Sequence, residues 1–179
     1  MKHALGLIEL NSIARGIRVT DEMLKAAQVD LIRSSTICPG KYIVIISGDV
    51  GEVEASMRAG EHLAAEYEIN RLLIPNIHQQ LVPALMGTTQ DIRPEAIGVL
   101  EFYSVASAIV AADKAAKAAQ IQLIEVRIGY AIGGKGYVTL TGDVGAVKAA
   151  VAAASEDQEL LVETTVIPRP IEPLVESLL

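Results

Sequence analysis

The sequence predicts an α+β protein built from two consecutive copies of one βαββαβ unit. Two observations lead to this prediction. The first half of the chain resembles the second half over nearly its whole length, and strand-like and helix-like patterns follow each other in the same order in both halves. Each unit is expected to form one antiparallel sheet with helices on one face. We place the domains at residues 1–92 and 93–179.

The two halves match in three blocks. The block ALGLIELNSIARG from Ala4 matches AIGVLEFYSVASA from Ala96, a separation of 92 residues. The separation is 94 residues between SGDVGEV, which begins at Ser47, and TGDVGAV, which begins at Thr141. It is 93 residues between the later sequences IPNI and IPRP. Since these small changes fall between blocks, the insertions are expected in loops, and the elements should be the same in both copies.

The first two elements of each copy are a strand and a helix. Apolar runs at 5–10 and 97–102 predict the strands. Ser12 and Ser104 follow these runs and are predicted to be the N-caps of helices that continue to about residues 28 and 120.

A hairpin, a second helix and a last strand complete each copy. The β-rich runs 29–35 and 42–47 are separated by a Pro-Gly loop and predict a hairpin. Asp49 with Glu52 forms a capping-box pattern for a helix that ends near residue 67, and Asp143 is the equivalent cap in the second copy. The last strand is expected at about 72–74, and a C-terminal helical turn follows it.

Composition excludes several classes of protein. The net charge of −7 and the aromatic content of 3% are unfavourable for binding nucleic acid. One cysteine cannot form an intrachain disulfide, and Glu9 interrupts the only apolar run that would suit a signal peptide, so we expect a cytoplasmic protein that does not bind membranes. The mean hydropathy of +0.37 is high for such small domains and indicates that much surface is buried in an oligomer.

Three motifs, TDEMLKAAQV, SGDVGEVEASMRAG and VIPRP, resemble those of bacterial microcompartment shell proteins in order and spacing. Two copies in one chain resemble the tandem-domain class, and the STICPGK loop is similar to that of members with an iron-sulfur cluster in the pore. The resemblance implies ferredoxin-like βαββαβ shell domains, a homotrimer that forms a pseudohexagonal tile, and tiles that meet other shell proteins edge to edge. It also implies a structural protein, not an enzyme, in the wall of a compartment within the cytoplasm.

The resemblance assigns residues to two regions of the tile. The edges would carry Lys25, Lys117 and Arg169, whereas Asn76 stands where the first copy should have an arginine, so its edge contacts are expected to be weaker or different. The central pore would be lined by Ile37, Cys38, Pro39 and Gly40 of the first copy and by Ile132, Gly133 and Gly134 of the second.

Cys38 is the residue for which the sequence leaves most alternatives open. The resemblance implies a 4Fe-4S cluster, one per trimer, since a threefold axis would bring three thiolates together for three irons. Such a cluster would transfer electrons across the shell, with redox enzymes of the lumen as partners, or supply clusters to enzymes inside. The competing interpretations are a buried structural cysteine, a Cys₃ zinc site and a nucleophile with His78 as its base.

Other candidate sites are weaker. The sequence from Gly129 to Gly136 matches a phosphate-binding loop in its first seven positions, but it lacks the Ser or Thr and is followed by a predicted strand instead of a helix. The histidines lack metal-ligand spacing. Glu9 and Glu101 are repeated in both copies, which favours a structural hydrogen bond over acid-base catalysis.

Two alternatives to a shell tile with a cluster remain. One is a metabolite-selective shell pore without a cluster, and the other is a small-molecule-binding sensor built from tandem α+β units.

Overall fold

A computed structural model describes residues 3–90, 92, 94–156 and 159–178 and confirms the predicted α+β architecture. The chain divides into two compact units, Met1–Ile77 and His78–Leu179. Each contains one four-stranded antiparallel sheet with helices packed on it.

The first unit follows the predicted order. Its elements are β1 (His3–Leu10), α1 (Ile13–Ala26), β2 (Asp30–Ile37), β3 (Lys41–Asp49), α2 (Val50–Ala64), a 3₁₀ turn (Ala65–Tyr67) and β4 (Glu68–Ile74). The strand order is β2-β3-β1-β4, so β2 and β4 are the edge strands.

The second unit repeats this topology and adds a short helix at each end. Its elements are α3 (Leu81–Met86), β5 (Ala96–Phe102), α4 (Val105–Ala118), β6 (Gln122–Ile128), β7 (Gly136–Gly142), α5 (Val144–Ser155), β8 (Leu161–Pro168) and α6 (Glu172–Leu178). The strand order is β6-β7-β5-β8.

Alternating side chains of the central strands form the core beneath the helices. In the first unit, Ile8 and Ile46 are fully buried against Met23 of α1 and Met57 of α2. A run of apolar residues along β1 and β3 is consistent with strands in the middle of a sheet. Burial of this cluster fixes which face of the sheet the two helices cover.

The caps at the helix N-termini agree with the sequence except at one position. The side chains of Ser12, Ser104 and Asp143 each accept a hydrogen bond from a backbone N–H of the first helical turn. The capping box predicted at Asp49 is wrong, because the Asp49 side chain makes no capping hydrogen bond. Glu52 instead accepts a hydrogen bond from the Gln28 N–H, at 2.8 Å, and joins α2 to the chain after α1.

The helical turn that ends the first copy, α3, packs in the second unit. The Gln80 side chain donates to the Ile121 carbonyl at 3.0 Å and accepts from the Leu123 N–H at 2.7 Å. The compact units therefore divide between Ile77 and His78, whereas the repeat in the sequence places its boundary at 92/93. No helix among the described residues is long and apolar enough to cross a membrane.

Gly16 provides a test of the packing between α1 and the sheet. A Cβ at this position would lie 2.3 Å from Cδ1 of Tyr42, whose hydroxyl is 2.8 Å from the Ser34 hydroxyl. We predict that Gly16→Ala lowers the free energy of unfolding by about 1–3 kcal/mol, because the buried ring must move.

Gly51→Ala is the matched control, since its Cβ would meet no atom within 4 Å in a helix of the same unit. It should leave stability unchanged or raise it by about 0.5–1 kcal/mol. Denaturant unfolding measures both. Equal effects of the two substitutions would contradict the packing described here.

Candidate functional site

The loop between β2 and β3 presents Cys38. The Gly40 N–H donates to the Ile37 carbonyl at 3.0 Å and closes a tight turn. Ile37 is buried with 3% of its surface exposed, Cys38 is half-buried, and Pro39 and Gly40 are exposed at the tip. Gly40 has φ +97°, a conformation that side-chain-bearing residues rarely adopt. The turn therefore holds the thiol next to solvent on a short, well-defined segment.

An ion pair holds the base of this loop. Lys41 Nζ lies 2.8 Å from Glu9 Oε1, and only 4% of the Glu9 side chain is exposed. Glu9 lies on the central strand β1, so the pair connects the loop to the middle of the sheet. This interaction confirms that Glu9 has a structural partner, as its repetition in the sequence indicated.

The loop between β6 and β7 occupies the equivalent position in the second unit. The Gly129 N–H donates to the Lys135 carbonyl at 2.9 Å, and the Lys135 N–H donates to the Ile132 carbonyl at 3.2 Å. Gly133 and Gly134 have φ values of +66° and +80°. The following strand begins at Gly136, so no helix N-terminus is present for a phosphate, and the rejected phosphate-loop pattern has no structural basis here.

A second ion pair holds this loop. Lys135 Nζ lies 2.7 Å from Glu101 Oε1 and 5.5 Å from the centre of the Tyr103 ring. The hydrogen bond to the Glu101 carboxylate raises the pKa of Lys135 above its ordinary value of 10.5. The stabilisation linked to the raised pKa of Lys135 is therefore fully present below pH 10.5 and is lost as the pH rises through the raised pKa. Unlike Glu9, the Glu101 side chain is 36% exposed.

The predicted pore residues thus lie on two equivalent loops, one in each unit. Within the first unit, Ile37, Cys38, Pro39 and Gly40 are brought together by the hairpin turn. Ile132, Gly133 and Gly134 are brought together by the loop of the second unit. Among the described residues, no group of three or more His, Cys, Asp or Glu side chains could hold a metal ion within one chain.

The two predicted edge lysines have the same partner in both copies. Lys25 pairs with Asp21 at 2.5 Å, and Lys117 pairs with Asp113. The hydrogen bond to Asp21 raises the pKa of Lys25. The environments differ, since the Asp21 side chain is 61% exposed and that of Asp113 is 7% exposed.

The buried position of Asp113 has a specific cause that the sequence prediction missed. Asp113 Oδ1 accepts a hydrogen bond from the His78 N–H at 2.7 Å, at the start of the segment that leads into α3. The available signal was an Asp followed four residues later by Lys at equivalent positions of both copies. His78 Nδ1 lies 3.4 Å from the Gln80 N–H, so His78 helps to order this segment.

The other two predicted edge residues lie just after the last strand of each sheet. Asn76 and Arg169 are both exposed. Arg169 has φ +52°, which is uncommon for a residue with a side chain, and its N–H donates to the Glu95 carbonyl at 3.0 Å. The backbone therefore fixes the direction in which the chain leaves β8.

Comparison with known proteins identifies both halves. The BMC domain matches residues 4–77 and 96–170. The chain is 44% identical over 175 residues to the bacterial microcompartment shell protein PduT of Citrobacter freundii. The alignment covers 96% of this chain and 95% of that protein. It is 30% identical over 192 residues to the carboxysome assembly protein CcmO of Synechococcus elongatus, and this alignment covers 98% of this chain and 68% of the relative.

Solved structures show the same similarity. A microcompartments protein from Desulfitobacterium hafniense matches with a TM-score of 0.95 and 47% identity, over 98% of this chain and 99% of that one. The fused permuted hexameric shell protein MSM0275 matches with a TM-score of 0.62 and 23% identity, over 85% of this chain and 81% of that one, which supports the fold alone.

The two loop ion pairs should differ in their contribution to stability. We predict that Lys41→Met lowers the free energy of unfolding by about 2–3 kcal/mol at pH 7, because it leaves the buried Glu9 carboxylate without its partner. Lys135→Met should have a smaller effect, since water can solvate the half-exposed Glu101 carboxylate. Denaturant unfolding of both variants tests this. A larger loss for Lys135→Met would contradict the difference in burial.

Proposed function

Because this chain belongs to the BMC domain family and carries one copy of the domain in each half, we propose that three chains form one tile with six domains around a central opening. The chain is a structural protein of the bacterial microcompartment shell and not an enzyme. Shell proteins of this family oligomerise and tile with other shell proteins. Three two-domain chains supply the six similar domains that a closed ring with a pseudo-sixfold arrangement needs.

The main support for the proposed trimer is a difference in burial between equivalent positions of the two units. Ile17 on α1 is 57% exposed, whereas its equivalent Ile109 on α4 is fully buried. Ile13 is 41% exposed, whereas its equivalent Val105 is fully buried. Exposed apolar side chains at positions that are buried in a second copy of the same fold indicate a surface that another chain covers.

We further propose that Cys38 from three chains binds one 4Fe-4S cluster at the axis of the tile. The half-buried thiol lies at the tip of a short turn, and each chain supplies only this one thiolate. Three thiolates suit a cluster in which three irons bind protein and the fourth takes a small ligand. Bound there, the cluster would carry electrons across the shell to redox enzymes in the lumen, or be supplied to them.

A shell pore without a cluster is the second candidate for the same loops. It is favoured by the exposed glycines at both loop tips, Gly40 and Gly133, since small residues leave room for a metabolite. In that case the thiol would have no ligand, and the loops would select by size and by hydrogen bonding alone. The two candidates share the same tile and differ in whether iron is present.

Metal analysis after anaerobic purification separates the two candidates. We predict about four irons and about four acid-labile sulfides per three chains, with broad visible absorbance. Cys38→Ser should be colourless and should keep the trimeric mass, because the exposed apolar side chains of α1 that are proposed to join the chains are unchanged.

A colourless wild-type protein without iron would support the open pore and refute the cluster. Zinc without iron or sulfide would instead indicate a Cys₃ zinc site.

The edge residues should control assembly of tiles into sheets. We propose that Lys25, Lys117 and Arg169 contact neighbouring tiles, with Asn76 making a weaker contact in place of an arginine. We predict that Arg169→Ala abolishes extended sheets in electron micrographs while the mass in solution stays that of a trimer. Lys148→Ala, on α5, is the control and should keep the sheets. Sheets formed equally well by both variants would refute the edge assignment.

A further inference from the structure

The two sheets differ in how their equivalent edge strands are covered. In the second unit, α3 lies along β6, and Leu123 and Ile124 have 0% and 4% of their surfaces exposed. In the first unit, the position equivalent to Leu123 is Leu31 on β2, and it is 43% exposed. Among the described residues, β2 has substantial contacts only with β3 and α1.

The cover of β6 is a specific structure and not a general apolar contact. Leu81, Ala84 and Leu85 of α3 are buried. The Gln80 side chain satisfies the Ile121 carbonyl and the Leu123 N–H, which are edge groups of the sheet that would otherwise lack a partner. Asp113 accepts from the His78 N–H and holds the segment that leads into the helix.

The second copy of the repeat contains the equivalent helix, α6, but α6 is not buried against a strand as α3 is. In α6, Leu174 and Leu178 stand at the positions of Leu81 and Leu85, a separation of 93 residues. No residue of α6 is buried. Six residues separate Ile74 of β4 from Leu81, and six separate the equivalent Ile167 of β8 from Leu174, although only three residues lie between the end of β8 and the start of α6 itself.

We infer that α6 of one chain docks on the edge of β2 in the first unit of a second copy of this chain. This inference rests on the proposed trimer and names the contact that joins its chains. In this arrangement Leu174 and Leu178 cover Leu31, and Asp21 accepts a hydrogen bond from the Ile171 N–H as Asp113 does from the His78 N–H. The exposed Asp21 side chain and the exposed Leu31 side chain both belong to this docking surface.

The docking surface also explains where two predicted edge residues meet. Arg169 precedes Ile171 by two residues, and Lys25 pairs with Asp21 at 2.5 Å. Docking of Ile171 on Asp21 therefore brings Arg169 of one chain close to Lys25 of the next. The edge contact of the tile would be formed by residues of two chains.

One difference between the copies sets the character of the contact. Pro173 stands at the position of Gln80 and cannot make the two hydrogen bonds of the Gln80 side chain. The docked α6 therefore depends on apolar burial and on the Asp21 hydrogen bond. Substitution of an apolar residue of α6 should weaken the trimer strongly.

Cross-linking tests the placement of α6 directly. In the full chain with Cys38→Ser, which removes the only native thiol, Pro173→Cys combined with Leu31→Cys should give covalent dimers and trimers with a short bismaleimide. Gln80→Cys with Leu123→Cys is the positive control and should cross-link within one chain without a change in mass. Pro173→Cys with Ile69→Cys, on the opposite edge strand, should leave chains uncross-linked.

Light scattering on the same samples separates the failure of this inference from the failure of the trimer. A trimeric mass with no cross-link at 173/31, or with equal cross-linking at 173/69, overturns the docking of α6 and leaves the proposed trimer intact. A monomeric mass overturns both. Cross-linked trimers at 173/31 alone support both.

A second variant measures the energetic role of the docked helix. Leu174→Asp should raise the protein concentration at which the trimer dissociates by about tenfold or more, because a charged group replaces a buried leucine. Val175→Asp adds the same charge where the equivalent Val82 is only half-buried, and its effect should be about threefold or less. Equal effects of the two variants would overturn the docking.

Discussion

An open sheet edge is the constraint on which the rest of this structure depends. A four-stranded sheet of this size leaves one strand on each side with unpaired backbone groups, and such an edge must be covered or protected. In the second unit α3 covers β6, and the Gln80 side chain forms hydrogen bonds with the backbone of Ile121 and Leu123. In the first unit the equivalent edge stays open with Leu31 exposed. This difference between two copies of one fold marks β2 as the edge that a neighbouring chain covers in the proposed assembly.

The loops assigned to the pore use a different device. Each is a short turn whose tip contains glycine in the left-handed region, and each is held at its base by a lysine that pairs with a glutamate from the first strand of its sheet. An ion pair at the loop base costs little flexibility at the tip and leaves the tip free to differ between copies. That freedom allows Cys38 in one loop and the pair Gly133-Gly134 in the other, while the sheet beneath stays the same. The scaffold and the chemistry of the tile can therefore vary separately.

Much of the fold could be predicted because local signals determine it. Ser12, Ser104 and Asp143 cap helices as expected. The sequence repeat also predicted correctly that both units have the same topology. The predicted capping box failed because Glu52 has a competing partner, the Gln28 N–H, that is distant in sequence. The sequence also could not predict which sheet α3 packs on, because a six-residue apolar turn does not indicate its partner strand. For the same reason the role of Asp113 appeared only with the structure, although its equivalence to Asp21 was visible in the repeat.

The central claim is that three copies of this chain close into one ring, each covering the open edge of the next. An electron cryo-microscopy map of the full-length protein in solution tests it most directly. The account predicts a particle with threefold symmetry and six similar domains, with the loops that carry Cys38 facing the axis and the C-terminal helix resting on β2 of the neighbouring chain. A particle with two chains, or a ring in which the C-terminal helix leaves every β2 edge exposed, would contradict it.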